Sequence, residues 1–177
     1  MAADNQSAAP PQGNGRAQPT ADTENIPQLR LLVQYAKDLS FENPNAPASL
    51  SNSRASPKID ISVNVHAAPR SNTEFNVELK IAATAKRDED VAFIVELTYG
   101  GLFQLSNIPA DQLQPVVLIE CPRLLFPFAR RVVADATRDG GFPPLMIDPI
   151  DFVALYQRRL AAKQAEQGPP STEQPPG

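Results

Sequence analysis

The sequence contains no tryptophan, a single cysteine and a single histidine among its 177 residues. One cysteine, Cys121, cannot form an internal disulfide, which favours a reducing compartment. One histidine, His66, cannot supply a multi-histidine metal site, and it leaves no alternatives for a Ser-His-Asp triad. Its position just after a predicted strand is typical of a surface histidine near a turn. Cys121 precedes a proline in an apolar stretch, where a buried, inert thiol is expected.

Long apolar runs are also missing. No stretch approaches the roughly 20 apolar residues that a membrane-spanning helix requires. Residues 1–24 have neither a basic start nor an apolar run, so they do not have the character of a signal peptide. A cytoplasmic protein is therefore expected, without metal, cofactor or direct membrane insertion. The small set of catalytic residue types also argues against an enzyme.

A strong charge of either sign is absent as well. The formal net charge is −4 at pH 7, and both ends carry excess acid, so residues 25–162 are close to neutral. No basic stripe is present that could bind phosphates, so nucleic acid is not an expected partner. The charged segment 86–90 is typical of a solvated hairpin turn. The glycine pair at 100–101 is too short for a phosphate-binding loop and is expected to mark a strand exit or bulge.

Composition divides the chain into one domain and two polar ends. Residues 1–24 consist mainly of Ala, Pro, Gln, Asn and Gly, and residues 163–177 end the chain in a similar style. Such segments offer almost nothing to bury, so both are predicted to be disordered. The folded domain is expected to span residues 25–162, long enough to bury a single core.

Inside this domain, apolar and polar residues alternate with the period of a β-strand. Between Leu29 and Phe41 the odd positions are mostly apolar. The same pattern recurs in three later segments, residues 58–65, 73–86 and 91–99. Because successive strand side chains point to opposite faces, each segment predicts a strand with one apolar side. Residues 67–72 are expected to form a turn, and the short connections between the later strands favour an antiparallel sheet.

After the fourth strand, the apolar residues follow the period of a helix. Residues 109–138 are predicted to form helical segments interrupted by Pro115 and Pro122. A further helix is predicted to begin at Asp148, with that residue as its N-cap and Pro149 in its first turn. Its apolar side is formed at spacings of three and four by Phe152, Leu155, Tyr156 and Leu160. The predicted fold class is α+β, a four-stranded antiparallel sheet packed with two C-terminal helices.

One group of residues on the predicted sheet has a composition that suits binding. Asp38 and Glu42 share a face of the first strand, about 13–14 Å apart. Ile94 and Glu96 share a face of the last strand. Turned outwards, these residues would form an acidic surface with one apolar member, suited to a basic partner. The same pattern also describes the ordinary polar side of an antiparallel sheet, and the residues alone leave both interpretations open.

Four segments of the sequence resemble the SecB protein-export chaperones. In order along the chain they are YAKDLSFENPNAP at 35–47, ELTYGGLF at 96–103, CPRLLFPFAR at 121–130 and GFPPL at 141–145. The resemblance implies a homotetramer, built as a dimer of dimers. It also implies a holding chaperone that binds unfolded precursor proteins without hydrolysing nucleotide. Such a chaperone keeps its clients translocation-competent and delivers them to the SecA ATPase for export across the inner membrane.

The resemblance implies roles for particular residues as well. In the family, the small zinc-binding C-terminal segment of SecA docks on the acidic outer face of the sheet. The matching SecA-binding positions here are Asp38, Glu42, Ile94 and Glu96. Clients bind to long apolar grooves, for which the matching candidates are Ile59, Ile61 and Val63 on the second strand and Phe152, Tyr156 and Leu160 on the last helix. Ordinary core packing between strand and helix would explain the same apolar residues.

Three hypotheses for the function follow. The first is a SecB-like holding chaperone, and the second is a SecB-like module that serves another partner, such as a toxin–antitoxin system. The third is a small-ligand enzyme that uses the cleft between sheet and helix. The acidic residues discriminate the first two, because a module that does not bind SecA need not keep them. The scarcity of catalytic residues argues against the third.

Overall fold

The computed structural model describes residues 26–51 and 56–166. Within these residues, four strands form one antiparallel sheet: β1 (Gln28–Glu42), β2 (Lys58–Pro69), β3 (Glu74–Arg87) and β4 (Asp90–Ser106). They lie in the order β1-β4-β3-β2, so β1 and β2 are the two edge strands. The predicted disorder of residues 1–24 lies outside the described residues.

One long helical segment follows the sheet. It consists of α1 (Ala110–Pro115), a π-helical stretch (Val116–Glu120) and α2 (Cys121–Asp139). The predicted interruptions at Pro115 and Pro122 flank the π-helical stretch. Proline has no N–H to donate, and a widened turn is one way in which a helix accommodates the missing bonds. A separate helix, α3 (Phe152–Glu166), completes the fold, and the predicted α+β class is confirmed.

Helix α2 packs on one face of the sheet, which we call the helix face. It is formed by the odd-numbered residues of β3 and β4, and Leu79, Leu97 and Phe103 are fully buried there. Leu125 of α2 packs directly against Gly101, where an added Cβ would lie 2.8 Å from Leu125 Cδ2. The apolar sides predicted for the third and fourth strands therefore form the core.

Strand β1 changes face twice along its length. Its pairing with β4 shifts between Leu31 and Val33 and again between Ala36 and Asp38. At each shift β1 contains one extra residue, a β-bulge. After a bulge, the positions whose side chains pointed to the helices point to the opposite face of the sheet, and the other positions point to the helices. The prediction that the odd positions share one face from end to end is therefore wrong.

The two bulges divide the β1 side chains between the faces. Leu29, Leu31 and Phe41 pack against the core, as the alternation predicts. Val33 and Tyr35 lie opposite even-numbered residues of β4 and so point to the other face, which we call the outer face. The outer face comprises the even-numbered residues of β3 and β4 and the residues paired with them.

Two strand ends differ from the predictions. β2 continues to Pro69, so the turn predicted at 67–72 is wrong in its first part. β4 continues through Gly100 and Gly101 to Ser106, so these glycines do not mark a strand exit. Both glycines are buried within the strand, because Tyr35 packs over Gly100 on one side and Leu125 packs over Gly101 on the other.

The start of α3 was also predicted incorrectly. The helix begins at Phe152, and its N-cap is Asp151 rather than Asp148, because the Ala154 N–H donates to Asp151 Oδ1 at 2.9 Å. The helix extends to Glu166, so residues 163–166, assigned to the disordered tail, are helical. The rest of that predicted tail lies outside the described residues.

The segment between α2 and α3 is fixed by one buried hydroxyl group. Thr137 of α2 is fully buried, and its Oγ1 accepts a hydrogen bond from the Leu145 N–H at 2.9 Å. The same hydroxyl lies 3.1 Å from the Val133 carbonyl and 3.0 Å from the Ala134 carbonyl, to which it can donate. Thr137 therefore connects the extended segment that follows α2 back to the helix.

Candidate functional site

The four residues matched to SecA binding lie together on the outer face. β1 and β4 are neighbouring strands, and the register places Ser40 opposite Glu96 and Glu42 opposite Ile94. Asp38 precedes Ser40 by two residues on the same face. Because opposite residues of an antiparallel pair have Cβ atoms about 4.5–5.5 Å apart, these side chains are close neighbours. We call Asp38, Glu42, Ile94 and Glu96 the acidic patch.

The charges of the acidic patch have no ion-pair partner among residues 26–51 and 56–166. Asp38 and Glu42 are exposed, and Glu96 is partly exposed. Within the described part of the chain, none of the three carboxylates takes part in an ion pair. Clustered, uncompensated carboxylates create a negative potential that attracts a basic partner, and the partly exposed Ile94 offers it an apolar contact.

Asp60 extends the acidic patch, although the sequence analysis did not include it. It is an exposed residue of β2, paired with Thr84 of β3, which is in turn paired with Ile94. Asp60 therefore lies on the same row of the outer face as Glu42. Its alternation with Ile59 and Ile61 was the signal that could have identified it.

A polar network next to the acidic patch connects β1 to β3 across β4. Tyr35 Oη donates to Asn76 Oδ1 at 2.7 Å, over the position of Gly100. Lys37 Nζ donates to Glu78 Oε1 at 2.8 Å, and Asn76 Nδ2 donates to the same oxygen at 3.0 Å. The contacts of Tyr35 and Lys37 each join residues 41 positions apart, so no local pattern in the sequence indicated them.

The ion pair in this network lies at the second bulge of β1. The hydrogen bond to Glu78 raises the pKa of Lys37. The hydrogen bond from Lys37 lowers the pKa of Glu78 despite an opposing effect of burial. Both groups are therefore charged at neutral pH. Lys37 is the extra residue of the bulge, and the bulge is what places Asp38 on the outer face.

A groove lies between β2 and α3, and we call it the β2–α3 groove. Its larger cavity, about 650 Å³, is lined by Asn64, Val65, His66, Glu78, Lys80, Thr98, Leu118, Leu155, Tyr156, Arg158 and Arg159. A second cavity of about 340 Å³ shares Leu118 and Arg159 with the first. Arg159 Nη1 donates to the Val65 carbonyl at 2.8 Å, which connects α3 to the edge strand.

The structure does not bring the six client-binding candidates together on one surface. Ile59 and Ile61 have exposed fractions of 36% and 42%, and they lie on the helix face of β2, away from the groove. Val63 packs against the core from the same face. The other three candidates lie on α3 and differ in how far they are exposed: Phe152, Tyr156 and Leu160.

On α3, one candidate belongs to the core and two are partly exposed. Phe152 has an exposed fraction of 2% and packs edge-on against Phe126, with ring centroids 6.1 Å apart. Tyr156 lines the groove, and its hydroxyl donates to Gln114 Oε1 at 3.4 Å. Leu160 is partly buried. In this conformation Phe152 is buried between α3 and α2 and is not available to a client.

The groups considered for chemistry have ordinary surroundings. His66 is exposed on the outer face, opposite Glu78. Burial, with a smaller contribution from Glu120, raises the pKa of the Cys121 thiol to about 12, so the thiol is neutral and inert. Residues 26–51 and 56–166 contain no cluster of His, Cys, Asp or Glu that could bind a metal ion. No helix among them is long and apolar enough to span a membrane.

Comparison with known proteins gives a consistent result. Residues 22–163 match the family model described as preprotein translocase subunit SecB. The protein-export protein SecB of Azorhizobium caulinodans is 59% identical over 145 residues, which cover 82% of this chain and 89% of that protein. The protein-export protein SecB of Bartonella bacilliformis is 55% identical over 141 residues, covering 80% and 89%.

A solved structure shows the same fold at low sequence identity. It is a SecB-like chaperone of Mycobacterium tuberculosis in complex with a peptide from an antitoxin. It is 15% identical to this chain, with a TM-score of 0.54, and the match covers 69% of this chain and 90% of that one. At this identity the likeness concerns the fold alone.

Proposed function

This chain belongs to the SecB family, and from that premise we propose that it holds unfolded precursor proteins and delivers them to the SecA ATPase. The family resemblance of the four sequence segments is confirmed. SecB proteins are export chaperones rather than enzymes, so the prediction of a non-enzymatic protein is confirmed as well. In this proposal the chaperone domain at 25–162 acts in the cytoplasm, and clients are held without nucleotide hydrolysis.

The acidic patch is the proposed docking site for SecA. The observation that supports it is the position of Asp38, Glu42, Glu96 and Ile94 on one face of two neighbouring strands, with no ion pair to neutralise the carboxylates among the described residues. A basic segment of SecA, its zinc-binding C-terminal segment, gains attraction from these charges and an apolar contact at Ile94. The docking site therefore needs no rearrangement of the sheet.

Client binding is assigned to apolar surface around β2 and α3. The exposed Ile59 and Ile61 and the groove residue Tyr156 are the accessible members of the predicted set. An unfolded client is recognised by its exposed apolar side chains rather than by one sequence. Each buried Å² of apolar surface contributes about 25 cal/mol, reduced by the cost of ordering the client. Several such sites on one assembly bind a long client more tightly than one site can.

A homotetramer, built as a dimer of dimers, is the proposed assembly. Its support is apolar surface that a single chain leaves exposed, including Leu124 and Phe128 on α2, with exposed fractions of 47% and 42%. Leu32, Val33 and Leu39 are also exposed on the edge strand β1. Apolar patches of this kind mark contacts between proteins. Light scattering at micromolar concentration is expected to give the mass of a tetramer, and a solution of monomers alone would contradict the proposal.

The competing function is a SecB-like module that serves a partner other than SecA. The acidic patch argues against it, because a module without SecA as partner has no need for these uncompensated charges. The two functions differ in one measurable property, since only the export chaperone binds SecA through the outer face.

The holding function is tested by aggregation of a slow-folding precursor protein. The precursor is diluted from denaturant with and without this protein, in the absence of nucleotide, and light scattering is recorded. The protein is expected to suppress scattering at stoichiometric amounts, and Asp38→Lys should suppress it equally. Aggregation at the same rate with and without the protein would refute the proposed function.

A further inference from the structure

A row of paired residues crosses all four strands of the outer face and has a carboxylate at each end. Asp60 of β2 pairs with Thr84 of β3, and Thr84 pairs with Ile94 of β4. Ile94 pairs with Glu42 of β1, which belongs to the acidic patch. Neighbouring strands lie about 4.8 Å apart, so Asp60 and Glu42 are about 14 Å apart across the sheet. Asp60 therefore faces the acidic patch from the far side of β3.

The side chains between Asp60 and the acidic patch are short. Ala82 and Thr84 are outer-face residues in the middle of β3, and Ser62 of β2 pairs with Ala82. On its other side Ala82 pairs with Glu96 of the acidic patch. We call Ser62, Ala82 and Thr84 the trough, because none of these side chains extends far above the sheet. A partner segment bound at the acidic patch can continue over the trough to Asp60.

Lysines border the trough at both ends. Lys80 and Lys86 are the outer-face residues of β3 immediately before and after it, and both are exposed. They lie about 20 Å apart along the strand. A basic segment is repelled by both lysines and attracted by the carboxylates at the two ends of the row. The charges therefore favour one path for such a segment, which crosses β3 over the trough.

The carboxylate of Asp60 is accessible to a partner. Asp60 is exposed and forms no ion pair with any residue in the described part of the chain. Lys58 lies two residues away on the same face, is exposed and forms no ion pair within the described ranges either. Because Lys58 repels a basic partner, Asp60 should contribute less to its binding than Asp38 or Glu96 does.

We propose that Asp60 is a further docking residue for the basic segment of SecA, and that this segment crosses β4 and β3 over the trough. This rests on the proposed SecA docking and adds a path and a spacing of basic residues to it. About 14 Å corresponds to four residues of an extended chain, and positions four apart lie on the same side of it. Basic side chains at that spacing reach Glu42 and Asp60 together.

The first test is a calorimetric titration of SecA into the wild type and two Asp60 variants at low salt. Asp60→Asn keeps the shape of the side chain and should weaken binding about threefold, the effect of one exposed ion pair. Asp60→Lys replaces attraction by repulsion and should weaken it about tenfold. Both differences should shrink as salt rises.

Glu74→Lys is the matched control for these variants. Glu74 lies on the outer face as well, roughly 34 Å along β3 from Thr84. It is a partly exposed acid that forms no ion pair among the residues the structure describes. This variant should bind SecA like the wild type.

The spacing is tested with two fluorescein-labelled peptides of equal composition, whose two lysines are either adjacent or four positions apart. Fluorescence anisotropy at low salt measures their binding to the full chain. The peptide with separated lysines is expected to bind the wild type about threefold more tightly than the other. Both peptides should bind Asp60→Asn equally, because only one end of the row then attracts a lysine.

Cross-linking tests the path. Cys121 is buried, and burial raises the pKa of its thiol to about 12, so a maleimide reagent modifies an introduced cysteine and leaves Cys121 intact. With a benzophenone maleimide attached, Ser62→Cys should cross-link to SecA and Glu74→Cys should not. The cross-link at position 62 should decrease when Asp60→Lys is added.

Each contrary outcome overturns a defined part of the proposal. Unchanged SecA affinity of both Asp60 variants would remove Asp60 from the docking site and leave the acidic patch standing. Weaker binding of Asp60→Asn together with a lower free energy of unfolding would show that Asp60 acts through stability, which overturns its docking role. No cross-link at position 62 would refute the path, and equal binding of the two peptides to the wild type would refute the spacing. If SecA does not bind the wild type, the proposed docking and this inference fail together.

Discussion

Tyr35 on the edge strand β1 crosses over Gly100 of β4 and donates a hydrogen bond to Asn76 of β3 at 2.7 Å. Only a glycine allows this crossing, because a Cβ at position 100 would lie 2.6 Å from Tyr35 Cζ. The contact connects β1 to a strand that is not its neighbour. Since β1 also carries Asp38 and Glu42, the same contact stabilises the strand on which half of the acidic patch depends.

Gly100→Ala is expected to destabilise the protein by about 1–3 kcal/mol, because the added methyl group displaces the ring of Tyr35. Urea unfolding measures the free energy of unfolding. The control is the same substitution in a Tyr35→Ala background, where no ring is left to displace and the cost should largely disappear. An equal cost in both backgrounds would show that the crossing does not constrain Gly100.

Deletion of Lys37 is expected to disrupt the acidic patch, whereas Lys37→Ala is not. The deletion removes the extra residue of the second bulge and forces one part of β1 onto the wrong face. Lys37→Ala keeps the bulge and loses only an ion pair that solvent screens, so its effect on stability should be small. SecA affinity and urea unfolding of both variants are the measurements. Equal effects of the deletion and the substitution would contradict this account of the bulge.

Stability should depend on pH through Glu78. Its pKa in the folded protein is lowered by the hydrogen bond from Lys37, below its ordinary value of 4.5. The stabilisation is therefore complete above that value and is lost as the pH falls through the lower, folded-state pKa. We expect the stability difference between the wild type and Glu78→Gln to be constant near neutral pH and to shrink below about pH 4. A difference that stays constant into strong acid would contradict the ion pair.

Thr137→Val is expected to lower the free energy of unfolding by about 1–3 kcal/mol. Valine has a similar shape but cannot accept the hydrogen bond of the Leu145 N–H, which would then be buried without a partner. The control is Thr84→Val on the outer face, where the side chain is partly exposed and strand preference for the two residues is similar. Equal stability of Thr137→Val and the wild type would show that another group accepts the hydrogen bond of the Leu145 N–H.

The sequence predicted those elements in which apolar residues recur without interruption at the period of a strand or a helix. The alternation in β3 and β4 and the helical period of residues 109–138 correspond to elements of the structure. The bulges of β1 were not predictable, because a bulge depends on the pairing with β4 and leaves the sequence alternation unchanged. The continuation of β4 through two glycines was missed because their packing partners, Tyr35 and Leu125, are distant in the sequence.

In the candidate site, too, the sequence indicated some residues and not others. The acidic patch could be found from sequence, because alternation groups Asp38 with Glu42 and Ile94 with Glu96 on each strand. The polar network at Lys37 could not, since it consists of side chains from β1 and β3 that meet across β4. Phe152 shows the limit for apolar residues, because periodicity does not distinguish a core residue from one that contacts clients.

The most direct test of the central claim is a calorimetric titration of SecA into this protein and into Asp38→Lys and Glu96→Lys. Lys86→Glu serves as a control of opposite charge change outside the acidic patch. We predict binding to the wild type and the control, and loss of binding to both patch variants, while all four proteins still suppress aggregation of a precursor. Unchanged SecA affinity in Asp38→Lys and Glu96→Lys would contradict the assignment of the acidic patch as the docking site.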